Sequence, residues 1–436
     1  MVNKKIKVKD KVVGKNIFFC FKMLCILMVM IVGGAFLLAI VYNIPTAGRI
    51  LNNMEVSSGV VEEEGAYPVI TDQATSQLDN YTDSIMLLKA AYSDDSSPFG
   101  QAMEVRSGKI DGNEANDTLV NHFGRGVEFN STETYDRYWH GYLVFLKPLL
   151  LLFSYKKIRI INAVAQILFV VVIIVVMVKK RRKYLIAPFL ILLGFLMPLA
   201  IMKSMQFSSC FYVMLGEILA LLLIDNVSVR KTSLVLFSGG IALAFFDLLT
   251  YPLITFGVPA ALFFLMHNEK SFKTEILDLV KIGLAWLVGY AGMWFGKWTI
   301  GSVILQKNLF SDAIRKLFFR ASTEGVDYSR MDVIGRNFES FFHTPIFVVL
   351  LVYLSVMITL IVVYWKNQKR KKILIFYSAV PFLIIASTPI LWLMIVTNHS
   401  FHHYWFVNKI FGVTIFAIMC CLIKIYLILR KNKRLQ

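Results

Sequence analysis

The sequence predicts an all-α polytopic membrane protein, and three observations carry that expectation. Hydrophobic residues make up 57% of the 436-residue chain, with a mean hydropathy of +0.63. Many apolar runs reach the roughly 20 residues that a helix needs to cross about 30 Å of hydrocarbon. The lysines and arginines behind the formal net charge of +18 cluster beside those runs. That is the footprint of membrane orientation, so no nucleic-acid partner is expected.

The first element is a basic tail, with Lys4, Lys5, Lys7, Lys9, Lys11 and Lys15, leading into an apolar run over 17–43. That run exceeds the roughly 7–15-residue core of a cleaved signal peptide and reads as a retained signal anchor. Residues 1–43 therefore form a cytoplasmic tail plus the first span. Residues 44–157 gather acidic groups away from the bilayer and read as one large extracytoplasmic loop. Residues 158–436 read as a bundle of about nine further helices, with another extracytoplasmic loop near 301–343.

Spans at 17–43, 158–178, 184–202, 206–225, 232–250, 252–267, 278–298, 344–365, 373–396 and 405–429 give about ten helices. They place five basic clusters in the cytoplasm, as charge bias demands. These are Lys179–Lys183, Arg230–Lys231, Lys270 with Lys273, Lys366–Lys372, and Arg430 to Arg434. Both termini then face the cytoplasm of a plasma (inner) membrane. Gly141–Ser154 is apolar but only about fourteen residues long, too short to span. It contains Lys147-Pro148 and is expected as an interfacial helix before the second span. Five cysteines fall in or beside apolar runs and form no disulfide or zinc pattern.

Chemistry-bearing residues converge on the outer face. Asp79 and Asp83 are four apart, so a helix would put both carboxylates on one side, where one could serve as a general base. A solvated turn is the rival reading. Asp136, Arg137 and His140 sit among Tyr135, Tyr138, Trp139 and Tyr142, followed by Lys147. An interfacial belt explains the aromatics but not the charges; cations at this level suit a lipid phosphate. Snorkelling competes for Lys147. His399, His402 and His403 lie within five residues and read as substrate contacts more readily than as metal ligands. Lys203, Asp247 and Lys297 mark the same face, and Glu217 sits nearer mid-span, where a carboxylate is costly. The run from Ile314 to Arg320 mixes bases with aromatics: an anionic headgroup site, or a surface amphipathic helix.

This layout resembles the polytopic GT-C-fold glycosyltransferases, nearest the branch of protein O-mannosyltransferases and lipid A aminoarabinose transferases. The resemblance rests on the cytoplasmic N-terminus, the large acidic loop and the short helix running from Trp139-His140 to Lys147-Pro148-Leu149-Leu150. Ile158-Arg159-Ile160-Ile161-Asn162-Ala163 is similar to the start of that family's second span. The resemblance implies a polyprenyl-phosphate-linked sugar donor, with transfer to a glycan or glycolipid acceptor in the cell envelope. Asp79 or Asp83 would deprotonate the acceptor while Arg137, His140, Lys147 and the histidines neutralise the departing phosphate. The cofactor is left open between none and a divalent cation. A lipid-linked polysaccharide polymerase and a non-enzymatic transporter or flippase are the competing readings.

Overall fold

The computed structural model describes residues 2–267, 271–323, 327–342, 346–365 and 372–430. Lys270, the 366–371 part of one basic run, residues 431–434 and parts of the 301–343 loop (324–326 and 343) lie outside them. A helix satisfies its own backbone donors and acceptors, which hydrocarbon requires, so the apolar runs become helices. The first is α1 (Val2–Tyr42), apolar from Gly14 onward.

The acidic segment that follows is a folded unit rather than an open loop. It comprises α2 (Arg49–Glu64), α3 (Asn80–Ala90) and α4 (Pro98–Glu104). Then come β1 (Arg106–Lys109), α5 (Ala115–Leu119), β2 (Ser131–Thr134) and the eight-residue α6 (Leu143–Leu150). Local chemistry sets several boundaries. Asp79 caps α3 by accepting the Thr82 N–H at 2.9 Å. Pro98 occupies the first turn of α4, and Val105, left-handed at φ 50°, ends it. β1 and β2 pair antiparallel, with Arg106 opposite Thr134. Met54, Leu87, Met103 and Trp139 from this unit share one core with Leu38 of α1 and Phe245.

The rest of the chain is α7 (Tyr155–Lys179), α8 (Ile186–Phe195), α9 (Pro198–Lys203), α10 (Met205–Leu223), α11 (Val229–Phe246) and α12 (Ile254–Met266). It continues with α13 (Phe272–Leu305), α14 (Leu309–Ala321), α15 (Arg330–Phe342), α16 (Ile346–Trp365), α17 (Lys372–Ile395), α18 (Thr397–His402), α19 (Tyr404–Val407) and α20 (Gly412–Arg430). Among the described residues, 8 helices are long and apolar enough to cross a membrane. The runs expected at 184–202 and 252–267 instead give shorter apolar helices, Lys183–Phe195 and Ile254–Met266. Pro198 explains the first: Met197 turns left-handed at φ 57° and the chain restarts as α9.

Glycine sets the tightest helix contact. A Cβ on Gly240 of α11 would lie 2.4 Å from the Trp286 carbonyl oxygen, and one on Gly289 of α13 would lie 2.2 Å from that of Phe237. The two backbones touch in both directions. Small residues at the crossing are what allow this.

Candidate functional site

The 135–142 segment leads from β2 into α6 and is held from several sides. His140 is buried and left-handed at φ 55°, a costly conformation for a non-glycine residue. Its Nδ1 lies 2.9 Å from the Tyr142 hydroxyl and its Nε2 2.8 Å from the Tyr135 carbonyl. Burial, then the nearby charges of Lys89, Lys297 and Arg137, hold its pKa well below the usual imidazole value. His140 is therefore a neutral positioning ring, not the phosphate-neutralising cation expected from the sequence. The Gly141 N–H donates to the Phe245 carbonyl at 2.8 Å, and a Cβ there would meet the Phe245 ring at 2.3 Å. Only glycine fits at this tie between the turn and α11.

Arg137 projects from the same segment. Its Nη1 donates to Asp312 of α14 at 2.9 Å, its guanidinium lies 4.9 Å from the Tyr135 ring centroid, and its carbonyl accepts Trp298 Nε1–H at 3.0 Å. Arg320, also on α14, donates to the Tyr138 hydroxyl, whose ring packs 5.1 Å from Trp294. Arg315 bonds Asp312 at 3.0 Å. Burial, followed by repulsion from Arg137 and Arg320, lowers the Lys316 pKa. Arg137 and Arg315 thus bond Asp312, whose charge also reaches Lys316, while Arg320 stands further along α14 beside Lys316 and Tyr138. Such an excess of positive charge beside aromatic faces suits an anion.

α18 packs against α14 and brings the histidines to this cluster. His399 and His403 have ring centroids 4.7 Å apart, while His402 faces outward beside Tyr328. Burial first, then the Arg320 charge, depresses both inner imidazoles, His403 to about 4. The His399 Nε2 is 2.8 Å from the Leu249 carbonyl. Both rings are neutral at pH 7 and offer hydrogen bonds or stacking, not charge. Among the described residues no three His, Cys, Asp or Glu side chains converge as a metal-ligand set.

The other expected residues separate by role. Asp83 is fully buried and accepts the N–H groups of Met205 and Gln206 at 2.9 and 3.0 Å, plus the Tyr155 hydroxyl. It caps the start of α10. Its oxygens are committed to that tie, and it is poorly placed to abstract a proton. Asp79 is the freer carboxylate: 2% exposed, with burial raising its pKa to about 7. Asp247 folds back on its own turn, accepting from the Thr250 N–H at 2.8 Å and the Thr250 hydroxyl at 2.6 Å.

Lys297 donates to the carbonyls of Ala102 and Met103 at 3.2 and 2.9 Å, closing the C-terminal end of α4. The charge of Asp136 reaches Lys297 and Lys89. Lys147 does not snorkel. It is 1% exposed, lies 5.2 Å from the Tyr42 ring centroid, and its amine has no hydrogen-bond partner. Burial lowers its pKa to about 8. Lys203 is exposed at the end of α9 and its charge acts on Glu64.

Arg320 and Lys316 join the site from the basic-aromatic run at 314–320, and Tyr138 joins it from the 135–142 segment. Arg159 is a second addition. It bonds Glu64 at 2.7 Å, Asn80 at 2.6 Å and the Tyr155 hydroxyl at 2.7 Å, locking the polar unit to α7. Comparison with protein-family models finds no match, and searches of curated proteins and of solved structures each return no significant match.

Proposed function

We propose that this protein is a membrane glycosyltransferase that moves a sugar from a polyprenyl-phosphate-linked donor to a glycan or glycolipid acceptor at the outer face of the plasma membrane. In this reading the chain crosses about ten times with both termini in the cytoplasm, the two shorter apolar helices completing the count. The observation that carries it is the cation group of Arg137, Arg315, Lys316 and Arg320, two of which bond Asp312. α14 supports it further. The helix that supplies three of those cations also exposes Ile314, Leu317 and Phe318, the apolar ridge of an in-plane membrane helix. A phosphate held there stays at headgroup level while its hydrocarbon tail remains in lipid.

The chemistry follows from the charges. As the glycosidic C–O bond breaks, negative charge grows on the leaving phosphate, and fixed guanidinium groups stabilise it more than they stabilise the ground state. Trp294 and Trp298, both half-buried, offer faces on which a sugar can stack. Asp79 is the preferred base, because a carboxyl poised near pH 7 both accepts and releases a proton readily. A run of rings leads from it toward the cluster. The Asp79 charge reaches Tyr67, whose ring lies 5.7 Å from Trp405, which lies 5.3 Å from His403.

Membranes containing the protein, incubated with lipid-linked sugar donors, test the reading. Arg137→Ala and Arg320→Ala are each expected to lower transfer by about a hundredfold, the scale of one lost charge-stabilising group. Full transfer in both variants at normal expression would end the proposal.

A further inference from the structure

α15 lies beside α18 and α19 and presents three different sides. Val333, Asn337 and Ser340 are buried against the protein, and Met331, Phe338 and Phe342 form an exposed apolar ridge. Asp332 and Glu339 are exposed along a third side. Arg336 belongs to that third side, four residues from Asp332 and three from Glu339. The ridge marks the lipid side of an in-plane helix, so Arg336 lies toward water.

The Arg336 guanidinium sits between two rings, 4.5 Å from the Phe401 centroid and 4.1 Å from that of Tyr404. It makes no hydrogen bond or ion pair with any described residue, not even with Glu339 one turn away, and none of its nitrogens is shut off from solvent. The two ring contacts orient the group and leave N–H donors free. A guanidinium so placed is ready for a planar oxyanion, which it grips through two parallel bonds.

The rings continue away from Arg336. Tyr404 lies 5.9 Å from Trp405, and Trp405 lies 5.7 Å from Tyr67 of the polar unit, both edge-on. Tyr67 is 45% exposed, and Tyr404 and Trp405 are half-buried. Partly open rings facing water suit the C–H faces of sugars, whose hydroxyl groups stay hydrated. The far end of the row approaches Asp79, whose charge acts on Tyr67. The row therefore has a basic and an acidic end, and an acid group on a sugar chain belongs at Arg336. Free phosphate would use Arg336 but not the rings. A lipid headgroup would have to arrive from the ridge side of α15.

We propose that this row binds an acidic saccharide, with its sugar rings on Tyr404, Trp405 and Tyr67 and its carboxylate on Arg336. Only the identification of that saccharide as the acceptor rests on the transferase reading; binding itself needs no donor.

Trigalacturonate and its methyl ester, each carrying one fluorophore, test it by anisotropy on purified full-length protein in nanodiscs of zwitterionic lipid. The two probes share their rings and differ in charge. The acid is expected to bind at least tenfold tighter than the ester. Arg336→Gln should bring the acid to within about twofold of the ester. Arg336→Lys, which keeps a cation but not the fork, should lose most of the preference. Tyr67→Ala should weaken both probes alike. Arg330→Gln removes an exposed charge from the same helix and should leave the preference unchanged. Equal binding of acid and ester, a preference that survives Arg336→Gln, or one that Arg330→Gln removes as fully, would overturn the proposal. So would loss of the preference when phosphatidylglycerol replaces the zwitterionic lipid, which would give Arg336 to a headgroup. Acid-dependent binding without any sugar transfer would instead end the transferase reading and leave this site standing.

Discussion

Asp79 combines two duties that the sequence presents as one. Its side chain caps α3, and its burial keeps a proton on it to about pH 7, against 3.8 for an ordinary aspartate. Between those values the folded protein holds a proton that the unfolded chain has released. This contribution to stability is complete below about pH 4 and is lost as pH rises through 7. It amounts to at most about 4 kcal/mol. Asn caps helices as well as Asp does, so Asp79→Asn should flatten the decline in unfolding midpoint between pH 4 and 8 while leaving α3 intact. A midpoint that still falls equally steeply would assign the slope to other groups. The residue types were legible in the sequence: α14 and α18 pack together, so that the Arg320 charge reaches His399 and His403. Their charge states were not, because His140, His399 and His403 become neutral through burial beside cations that lie far away in sequence. The structural ties of Lys297 and Asp83 were equally hidden, because their partners are 194 and 122 residues away.

Elements were easier to read where one physical rule dominates. The runs expected at 17–43, 206–225 and 373–396 correspond to apolar helices at Gly14–Tyr42, Met205–Leu223 and Ile373–Ile395. Hydrophobic length alone sets such segments. The span pattern predicts an extracytoplasmic loop near 301–343. Its apolar residues nevertheless recur at helical spacing, and α14 and α15 form there with one apolar face each. The polar 44–157 segment hid its order for a different reason: its elements are short and rest on one another and on α1. Packing between long helices yields its own prediction. Gly289→Leu forces α13 away from the Phe237 carbonyl, so the unfolding midpoint in detergent should drop by several degrees, consistent with 2 kcal/mol or more, roughly the cost of overpacking. Gly216→Leu, where a Cβ meets open space, should leave the midpoint within about a degree. Equal effects of the two substitutions would show that the α11–α13 seam is not a tight contact.

For the whole molecule, orientation decides whether the cation cluster faces the donor. With both cysteines of α1 and the three buried ones replaced by serine or alanine, single cysteines can report sidedness in intact cells. Asn130→Cys, on the polar unit, should react with a membrane-impermeant maleimide. Lys180→Cys, at the far end of α7, should react only after the cells are opened. The reverse pattern would turn the proposed site toward the cytoplasm, where this donor chemistry is not expected.

The ties between the polar unit and the bundle have a consequence for biosynthesis. Asp83 waits for Met205, Ala102 and Met103 wait for Lys297, and the Thr75 carbonyl waits for the Lys409 ammonium, 334 residues later, at 3.0 Å. A ribosome must therefore pass residue 409 before the polar unit is fully clamped. Until then the polar unit is held by its own short helices, by α1 and by the Arg159 ties to α7. Products that stop before Lys409 should be recognised as immature by quality-control proteases even though every residue of the polar unit has already been made.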